Sequence, residues 1–333
     1  MTKNKKINFI NLTVKLILAF LFVVVIYRQL FIKNDAVLMW KELKIHLQSS
    51  QPLLLISAVL LMFVNWGLEA LKWKILVSSF EKISFLRSIK TILLGITTGI
   101  ITPAKLGDYF GRVLLLENKN NWQGVWATFV SSISQSLATI IFGYFGFIYI
   151  LINVYNSEKY VFYTYFYLGL IFITILIYLY YKIELALKLL SGIGMKKLVK
   201  KIINNPDNTT GIKNPIPSSI LSKILVLSFM RYLVFTFQYI LLLGFFGISG
   251  NTLTLLAAVS TIFIIQSSIP LPPVIDILAR GEIAILILSQ FTDNKIMILS
   301  SAFSIWFINL LIPSLVGLIL IIRINITKSF GYD

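Results

Sequence analysis

The chain is 333 residues long, and 57% of its residues are apolar while only 13% are charged. A soluble domain typically carries about a quarter charged residues. The mean hydropathy of +0.86 is correspondingly high. The apolar residues also lie in runs too long for a globular core, since roughly 20 consecutive apolar residues span a bilayer as a helix. These features exclude a soluble domain and predict an all-α, polytopic membrane protein.

Charge and residue usage exclude further classes. The 30 Lys and Arg residues outnumber the 13 Asp and Glu residues, which gives a net charge of +17. Membrane proteins collect such an excess in cytoplasmic loops, so nucleic acid is not an expected partner. The chain has no cysteine and only one histidine, His46, which excludes disulfides, thiolate sites and paired imidazoles. We therefore expect no metal, no cofactor and no Ser-His-Asp catalysis.

The N-terminal region contains a helix and a short amphipathic segment. Lys3, Lys5 and Lys6 precede an apolar run at residues 12–32, as in a signal peptide. No small-residue cleavage site follows, so we predict that this run is retained as the first helix. Residues 35–47 have apolar side chains at helical spacing, which predicts a helix lying in the membrane interface.

The remaining apolar segments differ in length. Most are long enough to cross a bilayer, but the segments at 89–102, 253–269 and 283–291 are too short or marginal for an untilted crossing. With the first helix, the chain has eight or nine apolar segments, of which about six are predicted to be full spans. The segments after the first helix are 52–77, 89–102, 125–153, 160–181, 220–247, 253–269, 283–291 and 296–322.

Basic loops predict that the first short segment is re-entrant. The N-terminus, the region 72–90 and the loop 182–223 are rich in Lys and Arg, which places all three in the cytoplasm. The span 125–153 must then start inside. The segment 89–116 therefore enters and leaves on the cytoplasmic side, as a pair of half-helices broken near Pro103 would do.

The same reasoning predicts a second re-entrant pair downstream. Arg323 and Lys328 indicate a cytoplasmic C-terminus, so the last span starts outside. The segment 253–291 must then enter and leave on the outer side, broken at Pro270, Pro272 and Pro273. Three lysines fall on the outer side in this scheme and count against it: Lys33, Lys41 and Lys44.

This arrangement predicts a single integral membrane domain over residues 1–333. Its two halves, 52–181 and 219–322, are expected to form an inverted repeat joined by a basic cytoplasmic loop at 182–218. We expect it in the cell (inner) membrane as a multi-pass protein with both termini in the cytoplasm. Membrane lipids are its expected partners, and a homo-oligomer is left open.

The two breaks share a short motif that consists of a proline, an aspartate and an arginine four residues after the aspartate. The spacing places the two charges on one helix face, where they can pair. Such a match can arise by chance, or in turns whose Asp and Arg cap exposed helix ends. However, the two motifs lie at corresponding positions in the two halves of the chain, which favours the binding site of a transporter. The residues are Pro103, Asp108 and Arg112 in the first break, and Pro272, Asp276 and Arg280 in the second.

Charged residues at membrane depth are expected to face a protein interior or a wet cavity. The planar guanidinium of arginine donates paired hydrogen bonds to phosphate. We therefore predict that Arg112 and Arg280 bind a phosphate from opposite sides, with Asp108 and Asp276 orienting them. Glu282 either accepts a proton or an amine of the substrate or interacts with the helix dipole.

Other polar residues within spans are given smaller roles. Arg231, in the middle of a span, needs a carboxylate partner or water, and it is a secondary candidate for the cavity wall. Gln135 lies in a polar stripe that is typical of hydrogen bonding between helices, and it is also a secondary candidate. Glu69 and Lys72 share a helical face and are interpreted as a structural pair.

The segment from Gly95 to Arg112 resembles the signature of the lysylphosphatidylglycerol synthase transmembrane region family, which comprises flippase-like membrane proteins. The resemblance includes Trp73 upstream and extends over about residues 12–322. It makes Pro103 and Gly107 candidate substrate-binding residues. The similarity is weaker near Arg280, because many members carry a glycine-rich turn where this chain has residues 272–276.

The resemblance implies a lipid flippase or transporter that binds a phospholipid or polyprenyl-phosphate headgroup and moves it across the bilayer. The alternative is a membrane-embedded accessory protein or enzyme of polyprenyl-linked glycan or lipid modification. An enzyme would need clustered acid and base groups or a metal site, whereas the carboxylates here are few and separated. Neither the loop at 182–217 nor the C-terminal tail is long enough for an aminoacyl-transferase domain, so we expect no lipid aminoacylation by this chain.

Overall fold

The computed structural model describes residues 3–31, 35–48, 51–117, 120–153, 159–183, 185, 216–269, 271 and 273–329. Regular structure in these residues is helical throughout, as predicted. The α-helices are α1 (Lys3–Phe31), α2 (Asp35–Leu47), α3 (Pro52–Val77), α4 (Phe85–Ile100), α5 (Leu106–Val113), α6 (Asn121–Asn153), α7 (Lys159–Tyr181), α8 (Ser218–Phe245), α9 (Thr252–Ser268), α10 (Pro273–Leu288), α11 (Lys295–Trp306), α12 (Ile312–Arg323) and α13 (Ile326–Ser329).

Six helical stretches among the described residues are long and apolar enough to cross a membrane, which confirms the predicted number of full spans. The last of them combines α11 and α12 through a π-helical turn at Phe307–Leu311. The protein is therefore a multi-pass membrane helical bundle. The six stretches are Ile10–Arg28, Pro52–Val77, Asn121–Asn153, Phe162–Tyr181, Ser218–Phe245 and Lys295–Arg323.

Helices α4 and α5 form an antiparallel hairpin, the first hairpin. Gly107, at the start of α5, packs against the carbonyl group of Thr98, late in α4. Gly111, one turn later in α5, packs against Leu94 and Gly95, earlier in α4. A side chain at Gly107 would overlap the Thr98 backbone, so this close approach requires glycine.

The two ends of the first hairpin meet at one end of the bundle. Arg87, in the first turn of α4, donates a hydrogen bond from Nε to the Leu115 carbonyl beyond α5, at 2.9 Å. Its NH2 group lies 2.9 Å from Glu81 Oε1, and the other oxygen of Glu81 accepts a hydrogen bond from Asn120 Nδ2 at 2.9 Å. The segments before and after the hairpin are thus tied together, as a re-entrant helix pair requires.

The chain turns between α4 and α5 in a short 3-10 turn, Pro103–Lys105. Ala104 and Lys105 have φ angles of 49° and 56°. Such left-handed conformations are uncommon for residues other than glycine, and they cluster at functional sites. The Thr102 hydroxyl accepts a hydrogen bond from the Gly107 N–H at 2.7 Å, which caps the first turn of α5.

Helices α9 and α10 form the second hairpin, which is also antiparallel. Gln266, near the end of α9, contacts Arg280 in α10, and Gly250, just before α9, packs against Phe291, just after α10. This hairpin therefore also begins and ends at one end of the bundle. Helix α10 starts at Pro273, a position where proline is well tolerated. Pro270 and Pro272 lie outside the described residues.

The first hairpin opens toward the end of the bundle that holds the beginning of α1 and helix α13. Asn11 of α1 accepts a hydrogen bond from the Ile326 N–H at 2.9 Å. Asn121, at the start of α6, donates to the Ser329 carbonyl at 3.0 Å. The two ends of the described chain therefore lie on the same side as the mouth of the first hairpin.

The second hairpin opens toward the opposite end of the bundle. There, His46 of α2 packs against the rings of Phe245 and Phe246, with centroid separations of 5.9 and 5.6 Å. Gly247 and Met297 lie at the same end. The two hairpins enter the bundle from opposite ends, as the charge of the loops predicts. The inverted repeat stays a prediction, and most of the predicted loop at 182–218 lies outside the described residues.

Candidate functional site

A cavity of about 490 Å³ lies between the tips of the two hairpins, and we call it the hairpin cavity. The first hairpin contributes the turn between α4 and α5, and the second contributes the end of α9 and the beginning of α10. Helices α3, α6 and α8 and the π-helical turn at Phe307–Leu311 complete the wall. The charged and amide side chains that line it are Asn65, Lys105, Asp108, Gln135, Arg231, Gln266, Asp276 and Arg280.

The second hairpin presents an arginine held by two partners. Arg280 Nε lies 2.9 Å from Asp276 Oδ2, and its NH1 group donates to Gln266 Oε1 at 3.1 Å. Asp276 is one turn before Arg280 in α10, whereas Gln266 belongs to α9. The guanidinium group therefore links the two helices of the hairpin while it lines the cavity.

Arg231 of α8 approaches the cavity from the other side. Its Nε donates to Asn65 Oδ1 at 2.8 Å, and its NH1 group contacts Glu69 Oε2 at 3.0 Å. The guanidinium carbon also lies 4.9 Å from the centre of the Trp66 ring, a cation–π distance. Gln135 of α6 contacts the same NH1 group at 3.4 Å. Arg231 thus has the carboxylate partner that its depth in a span requires.

Arg112 lies behind the cavity wall. Its Nε and NH2 groups bind the two oxygens of Asp108, both at 2.8 Å, and NH1 binds Glu69 Oε1 at 2.7 Å. Only 6% of Arg112 is exposed, and it is not among the described residues that line the cavity. Asp108 is the member of this pair that faces the cavity. The expected direct contact between Arg112 and a ligand is therefore not what this geometry favours.

Glu69 joins these groups from the middle of α3. Besides Arg112 and Arg231, it contacts Lys72 Nζ at 3.1 Å and the Ser131 hydroxyl at 3.2 Å. Glu69 is 2% exposed and Lys72 is fully buried. A buried carboxylate is costly unless it is paired, and here three cations share it. The expected structural pair is real, but it belongs to a larger network.

The charges around the cavity favour an anion. Among the described side chains that line the cavity or stand directly behind it, there are five cations and three carboxylates, an excess of two positive charges. Such an excess in a site of low dielectric attracts a negatively charged group strongly. The cations are Lys72, Lys105, Arg112, Arg231 and Arg280, and the carboxylates are Glu69, Asp108 and Asp276.

The rest of the wall is divided between neutral polar and apolar side chains. One face of α6 presents Ser132, Ser136 and Thr139, while α8 and α9 present aromatic rings. A site with both characters suits an amphipathic ligand, whose polar group binds the charges and whose chain contacts the rings. No group of three or more metal-ligating side chains occurs among the described residues. The apolar and aromatic lining residues are Ile100, Ala104, Tyr109, Tyr232, Phe235, Phe263, Ile269, Leu271 and Leu310.

The chain matches the family described as the lysylphosphatidylglycerol synthase TM region over residues 12–279. It belongs to this family. The match covers the whole first hairpin and ends within α10, just before Arg280. The resemblance expected up to residue 322 extends beyond this match. A comparison with curated proteins found no match.

The other candidate residues from the sequence are placed as follows. Gly107 lies in the contact between α4 and α5, and Pro103 is exposed at the turn next to lining residues Thr102 and Ala104. Glu282 is exposed on α10 and is not among the described lining residues. Pro272 lies outside the described residues.

Sequence reasoning missed two important side chains. Lys105 lines the cavity because its left-handed backbone turns the chain there, and no pattern in the sequence predicts that conformation. Glu69 was assigned only to Lys72. Its role could have been predicted from Arg231, because an arginine within a span needs a carboxylate partner. Glu69 is one of the few acidic residues within a span.

Proposed function

We propose that this protein binds the phosphate-bearing headgroup of a membrane lipid in the hairpin cavity and moves it across the bilayer. The observation that carries the proposal is the position of a net positive cavity between two hairpins that enter from opposite ends of the bundle. Membership of the lysylphosphatidylglycerol synthase TM region family supports a lipid-related role.

Arg280 and Arg231 are the proposed phosphate ligands. Both line the cavity, and each is oriented by neighbours, Arg280 by Asp276 and Arg231 by Asn65. A guanidinium group can donate two parallel hydrogen bonds to phosphate. Arg112 acts indirectly, because it fixes Asp108 in the wall. The apolar rings of α8 and α9 would contact the beginning of the acyl or prenyl chain.

The two hairpins supply the proposed route. The first hairpin opens toward one end of the bundle and the second hairpin toward the other. A small movement of one hairpin would therefore expose the cavity only on the side toward which that hairpin opens. Half-helices that meet near the middle of the membrane are a recurring arrangement in transporters. The headgroup would remain bound to the cations while access changes.

The positive-inside rule gives the proposed orientation. The bundle end that holds the first hairpin's mouth also carries the exposed Lys82, Lys90 and Arg323. We assign this end to the cytoplasm, with both termini inside, in the cell (inner) membrane.

The proposal is tested by Arg280→Ala in proteoliposomes that contain fluorescent, NBD-labelled phosphatidylglycerol. Loss of a hydrogen bond to a charged group costs about 1.5–3 kcal/mol, so the rate of dithionite-sensitive translocation should fall at least about ten-fold. Arg280→Lys should restore only part of it, because an ammonium group lacks the planar fork.

The matched control is Arg323→Ala, which removes an exposed arginine at the end of α12. Its rate should equal that of the wild type. Wild-type activity of Arg280→Ala would contradict the assignment of the site. Binding of the labelled lipid by the wild type without any translocation would contradict the transport step and favour an accessory role.

A further inference from the structure

Glu69 has more cationic partners than a structural ion pair needs. Its Oε1 atom contacts Arg112 NH1 at 2.7 Å, and its Oε2 atom contacts Arg231 NH1 at 3.0 Å and Lys72 Nζ at 3.1 Å. One cation would suffice to neutralise a buried carboxylate. The three cations come from three different helices, α3, α5 and α8.

Two of these cations belong to opposite sides of the proposed site. Arg112 fixes Asp108, which lines the cavity from the first hairpin, and Arg231 lines the cavity from α8. Glu69 itself is 2% exposed and is not among the described lining residues. It therefore acts on a ligand only through the arginines that it holds.

The contacts of Arg231 show how it is held. Asn65 accepts from Nε at 2.8 Å, Glu69 accepts from NH1 at 3.0 Å, and the guanidinium group stacks on Trp66. Asn65 and Trp66 are neutral, so Glu69 supplies the negative charge among these three partners. An anionic ligand that binds Arg231 must compete with this carboxylate.

On the basis of the proposed function, we infer that Glu69 is the positioning residue of the hairpin cavity. Its carboxylate also competes with the lipid phosphate for Arg231, so that Arg231 pairs with Glu69 again when the lipid leaves. While the site is empty, Glu69 holds Arg231 at the wall. When a headgroup is bound, the phosphate shares Arg231, and the return of Arg231 to Glu69 assists release of the lipid.

Glu69→Gln tests this exchange in the NBD-phosphatidylglycerol assay. The glutamine keeps hydrogen-bonding atoms but removes the competing charge, so the phosphate should be held longer. We expect the maximal rate to fall by roughly ten- to a hundred-fold, while the half-saturating lipid fraction stays the same or falls. Glu69→Asp should recover part of the rate, because the charge is restored.

A purely structural role predicts a different result. It would lower the fraction of active vesicles and leave the rate of the remaining ones unchanged. That outcome, or a rise in the half-saturating lipid fraction, would overturn the inference. The control is Glu42→Gln, which alters a carboxylate of α2 that lies 3.6 Å from His46, away from the cavity and from both hairpins. Its kinetics should match the wild type.

A lipid-free measurement separates this inference from the proposed function. Because Arg231 lies 4.9 Å from the Trp66 ring, its release should change the fluorescence emission of Trp66. Glu69→Gln should shift the emission of the purified protein, and the shift should disappear in a Trp66→Phe background. If the wild type moves no lipid but Glu69→Gln still shifts the Trp66 emission, the proposed function is contradicted, whereas the positioning of Arg231 by Glu69 is supported. An unchanged emission overturns the inference whatever the lipid assay gives.

If Glu69→Gln does not fold, the double variant Glu69→Gln, Lys72→Met removes the buried carboxylate together with one of its cations. Replacing both members of a buried ion pair is tolerated much better than removing one. The double variant should still show the lowered maximal rate, since Arg231 lacks its counter-charge. A wild-type rate in this variant would overturn the inference.

Discussion

Arg112 and Arg280 occupy equivalent positions in the two motifs, yet their surroundings differ. Each binds the aspartate one turn earlier, at 2.8 and 2.9 Å respectively. Arg112 adds Glu69 as a second carboxylate and is nearly inaccessible, whereas a quarter of the Arg280 side chain is exposed. The first arginine is therefore mainly a structural centre, and the second is available to a ligand.

This difference predicts that the two substitutions destabilise the protein to different extents. Arg112→Ala leaves two carboxylates without their shared partner in a buried environment, which typically costs about 3–5 kcal/mol. Arg280→Ala should cost about 1 kcal/mol or less, because its pair with Asp276 is partly exposed. Thermal unfolding in detergent measures both. A larger loss of stability for Arg280→Ala than for Arg112→Ala would contradict these assignments.

Local pairing was predictable from the sequence, whereas the network was not. The i,i+4 spacing in both motifs follows from helix geometry, so both Asp–Arg pairs could be expected. The contacts of Glu69 with Arg112 and Arg231 join residues that are 43 and 162 positions apart. Only the packing of α3 against α5 and α8 brings them together, and no local pattern encodes that packing.

At the scale of the elements, the proline breaks were predicted better than the helix limits. The first break is at Pro103, because proline cannot continue the hydrogen bonding of a helix. Helix α10, however, is Pro273–Leu288, whereas hydropathy indicated a segment at 283–291. Asp276, Arg280 and Glu282 lower the hydropathy of its first turns. The helix includes them because they pair or lie at an exposed face, which an average over a window of sequence does not reveal.

The π-helical turn in the last span was also not predicted. Pro313 lacks an N–H group and cannot bond to the carbonyl four residues earlier, that of Asn309. A π turn at Phe307–Leu311 accommodates this break, as such turns often do near functional sites. Asn309 then accepts a hydrogen bond from Asn65 at 2.8 Å, and Asn65 in turn binds Arg231. A proline thereby contributes to the order of the cavity wall.

The first hairpin depends on glycine at Gly111. A methyl group there would lie 2.6 Å from the Leu94 carbonyl oxygen and 2.8 Å from the Gly95 Cα atom. Because these are backbone atoms, α4 and α5 would have to separate. We expect Gly111→Ala to destabilise the protein by about 1–3 kcal/mol, the usual cost of overpacking. Thermal unfolding in detergent measures the change.

Gly67→Ala is the matched control for this prediction. Gly67 lies inside α3, and a methyl group there would meet nothing within 4 Å. Alanine has a higher helix propensity than glycine by about 1 kcal/mol, so Gly67→Ala should be neutral or stabilising. Equal destabilisation by the two substitutions would show that close packing of α4 and α5 is not what Gly111 provides.

At the scale of the whole molecule, composition and loop charge were sufficient to predict six spans and two helical hairpins. Composition and loop charge are averaged over long segments, so a prediction based on them is not affected by local errors in helix limits. The site required more, since the cavity forms only where hairpins from opposite ends meet α3, α6 and α8. Its charge balance is therefore a property of the assembled bundle.

The orientation of the hairpins can be tested with single cysteines, because the chain contains none of its own. Lys82 and Glu117 flank the first hairpin and are exposed, while Ser249 and Gln290 flank the second and are also exposed. Lys82→Cys and Glu117→Cys should both react with a membrane-impermeant maleimide from the cytoplasmic side only. Ser249→Cys and Gln290→Cys should react only from the outer side. Labelling of residues 82 and 117 from opposite faces would mean that α4 and α5 together cross the membrane, and the cavity could not then be reached alternately from the two sides.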